Sequence, residues 1–181
     1  MFRRFFVVSL LLAAVSACGA NMSDPRPNVA RSYELTGLNF AAAPDLTVSE
    51  AANYYPVADI VWRGDPVGDR IGQIGSMFTE AAARNTGNLG GTQPIVVDVV
   101  LDRFHGVTER TQYTIGGVYN IAFRMTIRDA RTGAVIEPER RVVFNLDAPG
   151  GQAAIALDQA GQTQRIRVTD FLASSLRAEL L

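Results

Sequence analysis

The chain has 181 residues, 48% of them hydrophobic, with 17 basic against 18 acidic side chains and a single cysteine. Its length suits one domain after loss of a leader, and its near-neutral charge excludes the basic footprint of a nucleic-acid binder. Every cationic side chain is arginine, which rules out a lysine Schiff base, a Walker-type phosphate loop and a Ser-Lys dyad, while the lone Cys18 rules out an intramolecular disulfide.

Met1 to Arg4 is a short basic start, Phe5 to Ala14 an apolar run, and Val15-Ser16-Ala17 a small-residue stretch before Cys18. This is the architecture of a signal peptide, and its apolar run is far shorter than the ~20 residues needed to span a bilayer. Val15-Ser16-Ala17-Cys18 resembles the lipobox of bacterial lipoproteins. That resemblance implies acylation of the Cys18 thiol, cleavage before Cys18, and acylation of the new amino terminus. Residues 1–17 are then a lipoprotein signal peptide, and their removal takes away Arg3 and Arg4, leaving 15 arginines against 18 acidic residues. Gly19 after the lipidated cysteine resembles the outer-membrane sorting signal and implies an outer-membrane lipoprotein facing the periplasm rather than one retained in the inner membrane.

Residues 18–30, polar and broken by Pro25 and Pro27, read as the lipidated cysteine and a flexible tether, with residues 31–181 forming the periplasmic domain. Arg31 to Ala43 and Leu46 to Val48 fit short extended segments, and Asp59 to Trp62 another strand. Gly64-Asp65-Pro66 reads as a helix start, with Asp65 as N-cap and Pro66 at the first helical position. From about 67 to 84, Val67, Ile71, Ile74, Phe78 and Ala82 recur at helical spacing, beside a stripe of Gly68, Gly72, Gly75 and Thr79. Glycines cost a helix up to ~1 kcal/mol each, so the stripe points to close backbone approach, on the protein's own sheet or on a partner's helix.

Pro94 to Phe104 reads as a central strand that places Asp98, Asp102 and Phe104 on one face and His105 on the other. Gly117 to Arg128 alternates cleanly, with Tyr119, Ile121, Phe123, Met125 and Ile127 on one side. Asp129 to Gly133 is a hairpin loop and Val135 to Leu146 the returning strand, with Val142, Phe144 and Leu146 on one face. Gln152 to Asp158 is a short helix or loop. A final amphipathic helix over about 163–180 carries Val168, Leu172, Leu176 and Leu180 on its seam. Without a regular βαβ repeat, the fold class expected is α+β: a single domain whose antiparallel sheet packs against the two main helices.

The sole histidine, His105, has Asp98, Asp102 and Glu109 as its nearest acidic candidates. Asp98 and Asp102, four apart on a strand, lie ~13 Å apart, too far to share a proton. No esterase elbow, zinc-protease, calcium-loop or dinucleotide motif occurs, so no catalytic residues, no metal and no cofactor are expected, and the chain reads as a non-enzyme. Trp62 with Gly68, Gly72 and Gly75 is the candidate interaction surface, although a tryptophan there also suits a core anchor.

The run Tyr55 to Pro66, then Val97 to His105 and Asp129 to Gly133, resembles an uncharacterised lipoprotein family of Gram-negative bacteria, a domain of unknown function. The order of a Trp-ending strand, a helix, long strands with a hairpin and a C-terminal helix is more remotely similar to the auxiliary lipoproteins of ABC-type envelope transporters. The leading expectation is a membrane-anchored, non-enzymatic accessory component that docks on an envelope transport or assembly complex through a sheet face or the Gly68, Gly72 and Gly75 helix, with a protein partner in the cell envelope; the charge balance excludes nucleic acid. The alternatives are a binding module for a lipid or cell-wall ligand, which needs a preformed pocket, and a hydrolase using His105 with a distant acid; Tyr113, Tyr119 and the paired Tyr54-Tyr55 suit the lining of a lipid or peptide groove and equally suit ordinary strands.

Overall fold

The computed structural model describes residues 22–181; the leader and Cys18 lie outside the described residues. The elements in chain order are β1 (Tyr33–Ala42), β2 (Ile60–Val61), α1 (Arg70–Ala83), β3 (Gln93–His105), α2 (Glu109–Gln112), β4 (Gly117–Asp129), β5 (Val135–Ala148), α3 (Gln152–Gln159) and α4 (Gln164–Leu180). The fold class is α+β, and α1 and α4 pack on each other and on one face of the sheet. The sheet is mixed rather than antiparallel. It runs β1-β3-β4-β5, with β2 also beside β3; β3-β4 and β4-β5 pair antiparallel, whereas β1 and β2 both lie parallel to β3. The cause is the connection: β1 returns to β3 through the whole of β2 and α1, a crossover that permits parallel pairing, while β3, β4 and β5 follow one another through short links.

The long strands follow the apolar alternation. Ile95, Val97, Val99 and Leu101 on β3 and Tyr119, Ile121, Phe123, Met125 and Ile127 on β4 are buried on the helix-covered face. Their partners on α4 are Val168, Leu172, Leu176 and Leu180, four apart and all buried, with Phe171 standing edge-on to Phe144, ring centroids 6.0 Å apart. Apolar residues at that spacing line one side of a helix, so burying them needs no distortion. Thr163 caps α4 by accepting the Ile166 N–H.

One expected boundary and one expected face move. α1 begins at Arg70, and its N-cap is Asp69, which accepts the Gly72 N–H at 3.0 Å. Asp65 is not the cap: its carboxylate accepts from Trp62 Nε1 at 2.8 Å and Arg165 Nη1 at 2.7 Å, and Val67 lies exposed before the helix. The inward face of α1 accordingly gains Met77 and Ala81 beside Ile74, Phe78 and Ala82. On β3, a register shift between Leu101 and Arg103 reverses the alternation. Phe104 therefore joins the buried face with Leu101, and it is not on the side of Asp98 and Asp102 as strict alternation requires.

Residues before β1 are laid along the sheet edge. Ser23 and Asp24 meet β5 in an antiparallel sense: Asp24 N–H donates to the Arg141 carbonyl at 2.8 Å, the Asp24 carboxylate accepts the Arg141 N–H at 2.7 Å, and Ser23 Oγ accepts the Val143 N–H at 2.8 Å. Further on, Arg26 Nη1 donates to the Ala178 carbonyl near the end of α4, and Arg31 binds the Glu137 carboxylate through Nε and Nη2. The described part of the expected tether thus caps strand donors that would otherwise be open on an edge.

Candidate interaction surface

The residues singled out from sequence do not form one surface. Trp62 is fully buried, edge-on to Phe104 at 5.5 Å, with its indole N–H held by Asp65, and so it is a core anchor and is corrected from the interaction surface. The glycine stripe also divides. Gly68 lies in the loop before α1 and Gly72 is exposed over the Asp69 cap, whereas Gly75 is buried, where an added Cβ would come within 2.8 Å of the Phe40 ring. Close approach to the protein's own sheet is what Gly75 serves, because Phe40 stands on β1. His105 places Nε2 3.0 Å from the Pro56 carbonyl. Asp98 accepts from Arg128 Nε at 2.6 Å and Asn39 Nδ2 at 2.8 Å, and Asp102 pairs with Arg124 Nε at 3.2 Å. Among the described residues, no group of three His, Cys, Asp or Glu is placed to hold a metal ion.

Those aspartates lie on the second face of the sheet, opposite the helices. Asp98–Arg128, Asp102–Arg124 and Arg124–Glu139 ion pairs alternate there with half-buried Val96, Val100 and Val143, and Asn120 Nδ2 bonds Asn145 across β4 and β5. Each pair alone is worth little in water, at most ~1 kcal/mol. Together they hold long side chains flat on a rigid sheet.

One end of the sheet is apolar at its surface. It is where β3 stops, β4 begins and β5 finishes, and the loop over residues 51–58 is fastened to it. Thr108 and Thr111 hydroxyls donate to the Asn53 and Tyr54 carbonyls at 2.8 and 3.0 Å, and His105 holds Pro56. This fastening turns side chains outward: Tyr55 is 76% exposed, Val57 stands fully in solvent, and Tyr54, Tyr113, Ile115 and Val118 are exposed with them. Tyr54 and Tyr55 rings sit 6.4 Å apart, with the Arg110 guanidinium 5.4 Å from the Tyr54 centroid. Exposed apolar side chains grouped in this way mark contact surfaces more than scattered ones do.

Beside this end lies a depression of about 210 Å³ lined in part by Arg63, Glu109, Gln112, Tyr113, Asp158 and Gln164. A polar chain leads into it from the core. Tyr119 OH donates to Gln164 Oε1 at 2.6 Å, Gln164 Nε2 donates to Gln112 Oε1, and Gln112 Nε2 donates to Asp158 Oδ2 at 2.9 Å. Burial pushes the Tyr119 phenol well above its ordinary range, so it stays a donor and fixes both amide orientations. Arg63 is held by the Trp62 and Ser49 carbonyls at 2.9 Å and lies 3.2 Å from Glu50. The arrangement can present donors and a carboxylate to a small polar group. Gln112, Asp158 and Gln164 are not legible in the sequence as site residues, because glutamines and a lone aspartate carry no motif; the one available signal is Gln164 following the Thr163 cap, on the inward side of α4.

No curated protein matches the chain. Among solved structures it is similar to a protein of Caulobacter crescentus CB15 described as a lipoprotein, with 17% identity, 79% of this chain and 86% of that chain covered, and a TM-score of 0.36. It is also similar to the PelC dodecamer from Paraburkholderia phytofirmans, with 12% identity, coverage of 86% and 93%, and a TM-score of 0.37. A third, protein XCC0632 from Xanthomonas campestris in family DUF330, shares 14% identity with coverage of 87% and 90% and a TM-score of 0.41. Across residues 33–181, nearly the whole of the folded domain, the chain belongs to the family of unknown function DUF6778.

Proposed function

We propose that this protein is a lipoprotein anchored through Cys18, facing the periplasm from the outer membrane, and that it serves as a non-enzymatic accessory component of an envelope transport or assembly complex. The observation that carries the anchoring is Val15-Ser16-Ala17-Cys18 directly after a basic start and a short apolar run. The accessory role is supported by the uncovered second face of the sheet, where Val96, Val100 and Val143 stand among ordered arginine-carboxylate pairs. A flat, pre-organised face of this kind loses little side-chain freedom on docking. The test is cross-linking and recovery of the native lipidated protein from membranes, beside Cys18→Ser and Val100→Glu. A specific envelope complex recovered by the native form and lost with Val100→Glu is the expected result; the same complex recovered with Val100→Glu counts against the sheet face.

A second function is favoured by the depression lined by Arg63, Gln112, Asp158 and Gln164, which suits a binding module for a lipid headgroup or cell-wall fragment. Recovery of such a ligand without any partner protein would select it.

A further inference from the structure

We propose that the apolar end of the sheet, carrying Tyr54, Tyr55, Val57, Ile115 and Val118, is the surface the domain lays against the bilayer. The orientation rests on the Cys18 anchoring proposed above. It follows from where the chain enters the domain. Ser23 is fastened at Val143 and Asp24 at Arg141, so the chain runs antiparallel to β5 and its amino-terminal direction is toward Ala148. Cys18 precedes Ser23 by five residues, and five residues of fully extended chain span at most ~18 Å. Along β5, Ala148 lies five residues from Val143, about 17 Å, whereas Val135 lies eight residues the other way, about 26 Å.

The lipidated residue can therefore reach the end of the sheet near Ala148 and cannot reach the end near Val135. Ala148 is paired with Gly117, and Asp147 with Val118, so the reachable end is the one whose surface is apolar. Tyr54, Tyr55 and Tyr113 there are residues that favour the headgroup region, with an apolar ring and a polar tip, and Arg110 beside Tyr54 can direct its charge to lipid phosphates. Glu109 at this end is paired with Arg63, and Asp147 is exposed at the strand edge, able to remain in water at the rim. An acyl anchor and an apolar surface within its reach act together, since the anchor keeps the surface at the membrane and burial of the apolar side chains adds to the attachment.

Acylation consumes Cys18, so a cysteine introduced elsewhere is a free thiol for a nitroxide label. Val57→Cys, Ile115→Cys and Val135→Cys each alter an exposed residue and leave the core intact. The lipidated proteins are reconstituted into vesicles of phosphatidylethanolamine and phosphatidylglycerol, and the accessibility of each label to oxygen is compared with its accessibility to a water-soluble nickel chelate. Labels at 57 and 115 are expected to favour oxygen severalfold over the label at 135. Equal ratios, or a higher ratio at 135, overturn the orientation. The acyl mass on Cys18 is read from the same samples: an unacylated chain overturns the anchoring and the orientation with it, whereas an acylated chain with the wrong label ratios overturns the orientation alone.

Discussion

Tyr33 shows how one side chain links the two edges of the sheet. It is buried on β1, and its hydroxyl donates to Glu137 on β5 at 2.9 Å, beside the Arg31 guanidinium. Burial first, and the bond to Glu137 second, push its phenol up to about 12. The protonated form is thus favoured by folding. Its contribution is complete below the ordinary phenol value near 10 and is lost as pH rises toward 12, where the unfolded chain binds fewer protons than the folded one. Chemical denaturation between pH 10 and 12 is expected to show stability falling with pH, and Tyr33→Phe to make that fall shallower by up to ~1.4 kcal/mol per pH unit. An unchanged slope would mean that Tyr33 ionises as freely folded as unfolded. Gly75 makes a steric prediction: any Cβ there meets Phe40, so Gly75→Val is expected to cost about 1–3 kcal/mol by overpacking, read as a lower urea midpoint with an unchanged slope.

At the scale of elements, the segment before β1 is the feature composition conceals. Ser23, Asp24, Pro25 and Pro27 read as a tether, yet Asp24 and Ser23 supply oxygens to two β5 amides. Ser23→Ala with Asp24→Ala is expected to accelerate amide exchange at Arg141 and Val143 with little change in global stability, because edge amides open locally. Protection that survives the double substitution would mean that these contacts do not persist in solution. What sequence reveals well is what repeats: β3, β4, β5 and the Val168-Leu172-Leu176-Leu180 seam of α4 are each long enough for their period to be unambiguous. What it hides depends on neighbours. The bulge after Leu101 flips Phe104 inward, Asp65 is drawn from capping by the distant Arg165, and the parallel pairing of β1 is set by the crossover. The four-residue α2 carries too few residues to show a period at all. Of the candidate surface only the tyrosines are legible, as residues suited to a groove; Val57 is turned outward beside them only when Thr108, Thr111 and His105 fasten the loop over residues 51–58 by its backbone carbonyls, which no local pattern announces.

The whole molecule has two unlike ends. Near Val135 and the carboxyl terminus of α4, buried charges are neutralised within the protein, with Arg31 on Glu137 and Arg140 on Glu179 at 2.6 Å. At the other end aromatic and aliphatic side chains face outward, beside a polar depression. No helix among the described residues is long and apolar enough to cross a membrane, and the attachment proposed above is through Cys18. The most direct test is the intact mass of the protein extracted from membranes of cells that make the full chain. The expected mass is that of residues 18–181 with acyl groups on the thiol and amino terminus of Cys18, and Cys18→Ser is expected to retain its leader and lose that modification. A mature chain that begins elsewhere, or begins at Cys18 and carries no acyl group, would contradict the lipoprotein assignment and remove the basis for placing the domain at the envelope surface.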